Sequence, residues 1–297
     1  MAKIEREKGA LTPVKKLADK KAGEAGTSGY QMPVKKSTPV ATLTGYILLL
    51  FGEKKIGKTS MLAEDSDTFF AFFEPGGKAL SVFGDNFGGA GGWVRFRAFV
   101  KANLLEKRFK HVVIDTVDRA YKTSERYTLK RLEIEHQSEE AYGKGWAATR
   151  EDFEEPIMQL VNAGIAVTFI SHADEREITR LDGAKYDKIA PTMPKQAREL
   201  IEGLVDIWAF YGYDGNKRVL TIQGDDHIAA GHRLVNHFRA PDGKPLRQIH
   251  MGVSAAEAWK NFNDAFHNRY TPPAKKKEVD TDDGAIPTFK KKTVGKK

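Results

Sequence analysis

The sequence predicts an α/β fold with a mostly parallel central sheet that ends in an antiparallel hairpin. Three observations carry that prediction. Apolar runs of strand length alternate with helix-compatible stretches across residues 41–270. The early runs are continuous rather than alternating, as strands covered on both faces must be. The last two, LVDIWAFYGY and KRVLTIQ, flank the turn dipeptide Asp214-Gly215.

YILLLF (46–51) is the first strand, and a short helix starts near Lys58. TFFAFF (68–73) is the second strand, stopped by Glu74-Pro75-Gly76-Gly77. WVRFRAF (93–99) reads as a short strand entering the helix VKANLLEKRF, and HVVID (111–115) as another strand. A long polar helix covers roughly 117–136, and a second runs to Asn162 with Gly164 as its stop. IAVTFIS (165–171) is a strand, followed by a long basic loop to about residue 200. Ser254-x-x-Glu257 is a capping box, opening a helix with Trp259, Phe262 and Phe266 on one face.

The flanks differ from this core. Residues 1–40 hold nine Lys/Arg against four Asp/Glu, and residues 271–297 hold eight against four. The overall charge is +8, so residues 41–270 are close to neutral. Both flanks read as disordered basic arms around one domain, 41–270. They are either solubilising tails or contacts for a polyanion. Cysteine is absent, which excludes disulfides and thiolate metal sites and fits a reducing cytoplasm. No apolar run approaches the ~18–20 residues of a membrane span, and the N-terminus lacks a signal-peptide core. The expectation is a soluble cytoplasmic protein without a membrane partner.

The chemistry starts at Gly52-Glu53-Lys54-Lys55-Ile56-Gly57-Lys58-Thr59-Ser60, which fits G-x-x-x-x-G-K-[ST] between a strand and a helix. Backbone N–H groups of such a loop close around phosphate oxygens, and the helix N-terminus adds partial positive charge. Lys58 is expected on the β- and γ-phosphates and Thr59 on Mg²⁺. Asp115, directly after three apolar residues, suits a second metal-side ligand, with helix capping as the alternative. Glu74 and His172 stand at two further strand tips. The carboxyl ends of parallel strands converge on the ligand. Glu74 therefore suits the orientation of water, and His172 the sensing of the γ-phosphate.

These pieces (GEKKIGKTS, FFEPGGKAL, VVIDTVD, AYGKGW and VTFISH) resemble RecA-like P-loop ATPases over roughly residues 40–240. They look closest to short phage ATP-binding proteins that act in single-strand annealing and recombination. The resemblance implies a RecA-like P-loop NTPase core, with ATP and Mg²⁺ as cofactors. It makes Glu74 the water-activating glutamate and puts His172 in the place of a γ-phosphate-sensing glutamine. Arg233, in IAAGHRL, would reach a neighbouring subunit's phosphate, whereas Gly231 stands where a second cation is usual. That implies a homo-oligomer. Two loops would bind single-stranded DNA. Tyr142, Lys144 and Trp146 (with Arg150) belong to the first, and Arg176, Arg180, Lys185 and Lys188 (with Lys195) to the second. Packing under a helix is the other reading of Tyr142 and Trp146. If the protein is phage-encoded, it would work in the host cytoplasm.

DTDDGAIPTF (280–289) resembles the acidic tails by which bacterial single-strand-binding proteins recruit partners. It departs in Thr288 and in the eight residues after Phe289. Either Ile286 and Phe289 dock on a single-strand-binding or replication protein, or the segment is a plain tail. Two rival functions stand beside the ATP-hydrolysing, DNA-binding reading. One is a non-catalytic ATP-switched loader or scaffold. The other is a small-molecule kinase, which would need a lid with catalytic arginines that the sequence does not supply. A GTPase would need a guanine-reading Asn-Lys-x-Asp, and Asn216-Lys217-Arg218-Val219 lacks the Asp.

Overall fold

A computed structural model of the chain describes residues 32–273. The Ile286–Phe289 motif and most of both expected arms lie outside the described residues. Of the unit formed by residues 1–39, only 32–39 are described, and they hold no helix or strand.

From Val40 onward the chain builds a ten-stranded sheet with helices on both faces. β1 (Leu48–Gly52) leads into α1 (Lys58–Leu62) and β2 (Thr68–Phe72). β3 (Phe83–Asn86) and α2 (Gly92–Glu106) precede β4 (His111–Asp115). Two helices follow, α3 (Val117–Leu132) and α4 (Lys144–Asn162). β5 (Ala166–Thr179), β6 (Lys185–Pro191) and α5 (Lys195–Leu204) lead to β7 (Ile207–Asp214) and β8 (Lys217–Thr221). β9 (Gly231–His232), β10 (Gln248–His250) and α6 (Ala255–Phe266) complete the unit. The strand order is β10-β8-β7-β1-β5-β4-β2-β3, with β6 on β5 and β9 on β7. The pairs from β7 to β3 are parallel, and β8 turns back antiparallel on β7. This is the α/β class and RecA-like core expected from the sequence, with β5 inserted between the loop-bearing β1 and the Asp115-bearing β4.

β1 and β2 are buried at all five positions, which explains their unbroken apolar sequence. On one face they meet Met61, Leu62, Phe262 and Phe266 of α1 and α6. On the other they meet Trp93, Phe96, Tyr121 and Phe153 of α2, α3 and α4. The final helix is capped as foreseen at Ser254, whose Oγ accepts from the Glu257 N–H at 3.1 Å. The reciprocal bond is displaced by one residue: the Glu257 carboxylate accepts from the Val253 N–H at 2.9 Å.

Two expectations are corrected. Residues 93–99 are helical within α2, not a strand. Trp93, Phe96, Val100 and Asn103 are buried at three- and four-residue spacing, so the helical period overrides the β-propensity of an aromatic-rich run. The edge of the sheet is taken instead by β3, whose four residues are all exposed. The long loop after residue 171 is also not a loop. β5 continues to Thr179, turns, and returns as β6, with seven residue pairs in antiparallel register. α5 follows. Most of the ribbon's side chains remain in contact with water, so it carries no apolar alternation for a sequence pattern to reveal.

A polar network pins the sheet at the end away from the strand tips. The Thr68 hydroxyl donates to Asp65 Oδ2 at 2.7 Å, so it accepts from His111 Nδ1 at 2.7 Å. His111 Nε2 lies 2.7 Å from the Thr168 hydroxyl, so the ring ties β2 to β5 through β4. The His111 imidazole and the Thr68 hydroxyl hold the Asp65 carboxyl below its ordinary pKa, against partial burial. An acid with a lowered folded-state pKa stabilises the fold above its unfolded value of about 3.9 and loses that contribution as pH falls through the folded value. Asp65→Asn should therefore cost about 1.5–3 kcal/mol at pH 7, the scale of a hydrogen bond to a charged group. Urea unfolding at pH 7 and again near pH 3 should show the difference shrinking. An equal loss at both pH values would assign the effect to packing.

Candidate nucleotide-binding site

Register gathers the predicted strand tips at one end of the sheet. Gly52 of β1 is opposite His172 of β5, while Asp115 of β4 is opposite Phe72 of β2 and Ile170 of β5, two residues nearer the core. Glu74 follows two residues beyond Phe72, after the Phe73 N–H bonds the Asp115 carbonyl at 2.6 Å. Gly52 also lies against β7: a Cβ there would fall 1.9 Å from the Tyr211 carbonyl oxygen, and its φ is +152°. Only glycine lets the loop leave the strand here.

Around this level lies a cavity of about 240 Å³ lined by Lys58, Thr59, Glu74, Asp115, Thr116 and His172, among others. Lys58 is only 6% exposed. Its Nζ donates to the carbonyls of Gly52 at 2.8 Å and Glu53 at 2.7 Å. Burial lowers its pKa to about 8, against the attraction of Asp115, Asp118, Glu53 and Glu74. The Thr59 hydroxyl donates to Asp115 Oδ2 at 2.7 Å. Burial raises the Asp115 pKa, the Thr59 bond opposes that, and the Glu74 charge adds to it. The Asp115–Thr116 peptide is cis.

Glu74 is held from three sides. Thr116 Oγ1 donates to its Oε1 at 2.8 Å, and Arg119 Nε lies 3.6 Å from the same oxygen. His172 Nε2 lies 3.6 Å from Oε2, while its Nδ1 is buried without a partner among the described residues. Thr116 and Arg119 were missed in the sequence, although both follow Asp115 within one helical turn. Asp118, in the first turn of α3, accepts from Ser171 at 3.2 Å and from Thr192.

The donor set fits a magnesium–triphosphate. A buried ammonium satisfied only by carbonyls, among the described residues, is matched by phosphate charge. A paired Thr hydroxyl and Asp carboxylate is the usual protein contribution to Mg²⁺ in such sites.

A family model described as an AAA domain matches residues 44–234. The chain belongs to the AAA domain family. An uncharacterised protein derived from the SPbeta prophage of Bacillus subtilis (strain 168), YorG, is 24% identical to this AAA-domain chain over 170 residues. That match covers 55% of this chain and 49% of the relative, so the chain spans about half the length of the relative it matches. A solved KaiC-like protein of the archaeon Pyrococcus horikoshii OT3 is 14% identical, with a TM-score of 0.42 over 72% of this chain and 88% of that one.

The other predicted residues of this AAA domain lie elsewhere. Arg233 donates to the Val205 carbonyl at 2.6 Å and lies 3.6 Å from Asp206, away from the chain's own phosphate site. Tyr142 is fully exposed, while Trp146 is half-buried at the start of α4 with its ring edge-on to His136. Lys144 is exposed beside it. On the β5–β6 ribbon, Arg176 is spent on the carbonyls of Pro191 and Met193. Arg180 pairs with Asp226 and Lys185 with Glu177, whereas Lys188 of β6 is half-buried. No helix among the described residues is long and apolar enough to cross a membrane.

Lys58→Ala tests the phosphate site. With ATP and Mg²⁺ at a hundred times the measured Kd, the native chain should gain about 2.7 kcal/mol of stability. The variant should gain none in a thermal-shift titration. An equal gain would remove Lys58 from the nucleotide contact.

Proposed function

We propose that this protein binds and hydrolyses ATP with Mg²⁺, and that it binds single-stranded DNA as a RecA-like protein of phage-type recombination or annealing. The observation that carries the hydrolysis reading is the convergence of Glu74 and His172 on the cavity that holds Lys58, Thr59 and Asp115. A loop that only bound phosphate would need no carboxylate oriented by three neighbours beside it.

Each residue has a distinct task. Lys58 exchanges its two carbonyl partners for phosphate oxygens. Thr59 and Asp115 hold Mg²⁺, which when bound supplies neutralisation of phosphate charge. Glu74 accepts a hydrogen bond from the attacking water, and Thr116 keeps its carboxylate turned toward the cavity. His172, on the strand next to β1, lies between Glu74 and the loop and responds to the terminal phosphate.

The DNA part of the reading rests on different support: the exposed Tyr142 and the prophage origin of the relative. A homo-oligomer in which Arg233 serves a neighbouring site, and a replication or single-strand-binding protein as partner, complete the proposal.

Glu74→Gln should keep ATP binding and lose ~10²-fold or more in turnover, the scale of a general base. Phosphate release and the ATP-induced thermal shift, measured on the same sample, separate the two. Normal turnover in the variant would reduce Glu74 to a loop residue. The native chain should also hydrolyse faster with single-stranded DNA. Binding of ATP without turnover under either condition would favour the loader or scaffold.

A further inference from the structure

Glu74 and Pro75 line two cavities. One is the nucleotide site. The other, of about 520 Å³, opens on the far side of Glu74 and joins a hollow of about 360 Å³ through Gly89, Thr123 and Arg126. Together they form a groove with the loop 88–92, Gly-Gly-Ala-Gly-Gly, on one wall and α3 on the other.

The α3 wall is cationic. Arg119, Lys122, Arg126 and Lys130 fall at steps of three and four residues, so they share one face and follow one another every ~4.5–6 Å along the axis. All four are exposed. Arg119 reaches Glu74, whereas Lys122, Arg126 and Lys130 have no ion-pair partner among the described residues. Glu74 is the one acid that lines the groove among the described residues. The far hollow adds Val94 and Tyr127, surface on which a base can lie. On the β5–β6 ribbon three of the four cations expected on DNA are engaged: Arg180 and Lys185 in ion pairs, and Arg176 on backbone carbonyls.

A regular row of unpaired cations beside apolar surface is the complement of a strand with a repeating phosphate and stacking bases. We propose that this groove is a track for single-stranded DNA, with the phosphate backbone along α3 and one end of the track at Glu74. The inference rests on the single-strand reading above and moves the principal contact from the β5–β6 ribbon to α3. It gives Arg119 a double position, at the head of the cationic row and against the carboxylate expected to orient water.

The test uses the full chain and a labelled oligo-dT of about 30 nucleotides, with anisotropy read from about 50 to 200 mM salt. Lys122→Ala/Arg126→Ala/Lys130→Ala should weaken binding by ~10²-fold at low salt and lower the log–log salt slope by about 2, at ~0.7 per phosphate contact. Lys122→Arg/Arg126→Lys/Lys130→Arg should keep the native slope. Each single alanine substitution changes one exposed side chain and should lower the slope by ~0.7. Arg180→Ala/Lys185→Ala should leave the slope near the native value. A native slope in the triple alanine variant, or a loss confined to the Arg180/Lys185 variant, would overturn the groove and leave the single-strand reading standing. A native chain that does not bind the oligonucleotide would overturn both.

Discussion

The passage of Gly52 against the Tyr211 carbonyl is the constraint on which the site is built. β1 is paired in parallel on both sides, so its end is fixed by two neighbours at once. A side chain at 52 would collide with β7 backbone, and backbone in the middle of a sheet has no room to yield. The loop therefore leaves the sheet at one defined height. That height is also where His172 follows its apolar run, and Asp115 ends its own two residues nearer the core. Three strands that share hydrogen bonds cannot shift singly, so the polar groups at their tips are positioned by the core beneath them.

The cost of that positioning appears in the electrostatics. Lys58 and Asp115 are both desolvated, and burial pushes each toward its neutral form. Neither has a full counter-charge of its own. Lys58 leans on two carbonyls and Asp115 on one hydroxyl. Such groups are poor contributors to the stability of the free protein and strong ones to a complex with a charged ligand. This is the physical sense in which the AAA-domain loop is prepared for phosphate.

Much of this was legible in the sequence. A strand buried on both faces must be largely apolar, so the polar residues that end each run mark a tip: Glu74, Asp115 and the pair Ser171-His172. The Asp214-Gly215 hairpin was legible because its turn needs particular residues. Other features left no such trace. The β5–β6 ribbon is stabilised by backbone pairing with little apolar burial beyond residue 172, so periodicity was silent. The first turns of α2, residues 93–99, read as a strand because Trp, Val and Phe favour strands, while their spacing favours a helix. The partners of Glu74 come from the turn after β4, and only the sheet register brings that turn beside the end of β2. The cationic face of α3 was open to a helical-wheel reading, but nothing in the sequence said that a glycine-rich loop would stand opposite it.

β5 is the only strand among the described residues that runs unbroken from the hydrophobic core far into the surroundings. Its first six residues are buried, and its last ones stand in water, paired to β6. His172 sits at the changeover. A continuous strand advances ~3.3 Å per residue, so the ribbon reaches ~20 Å beyond the sheet without a joint. It is rooted at the phosphate site and braced outside the sheet by a second segment: the Ile189 N–H bonds the His227 carbonyl at 2.7 Å, and Arg180 pairs with Asp226. A shift of that segment reaches His172 through one continuous piece of backbone.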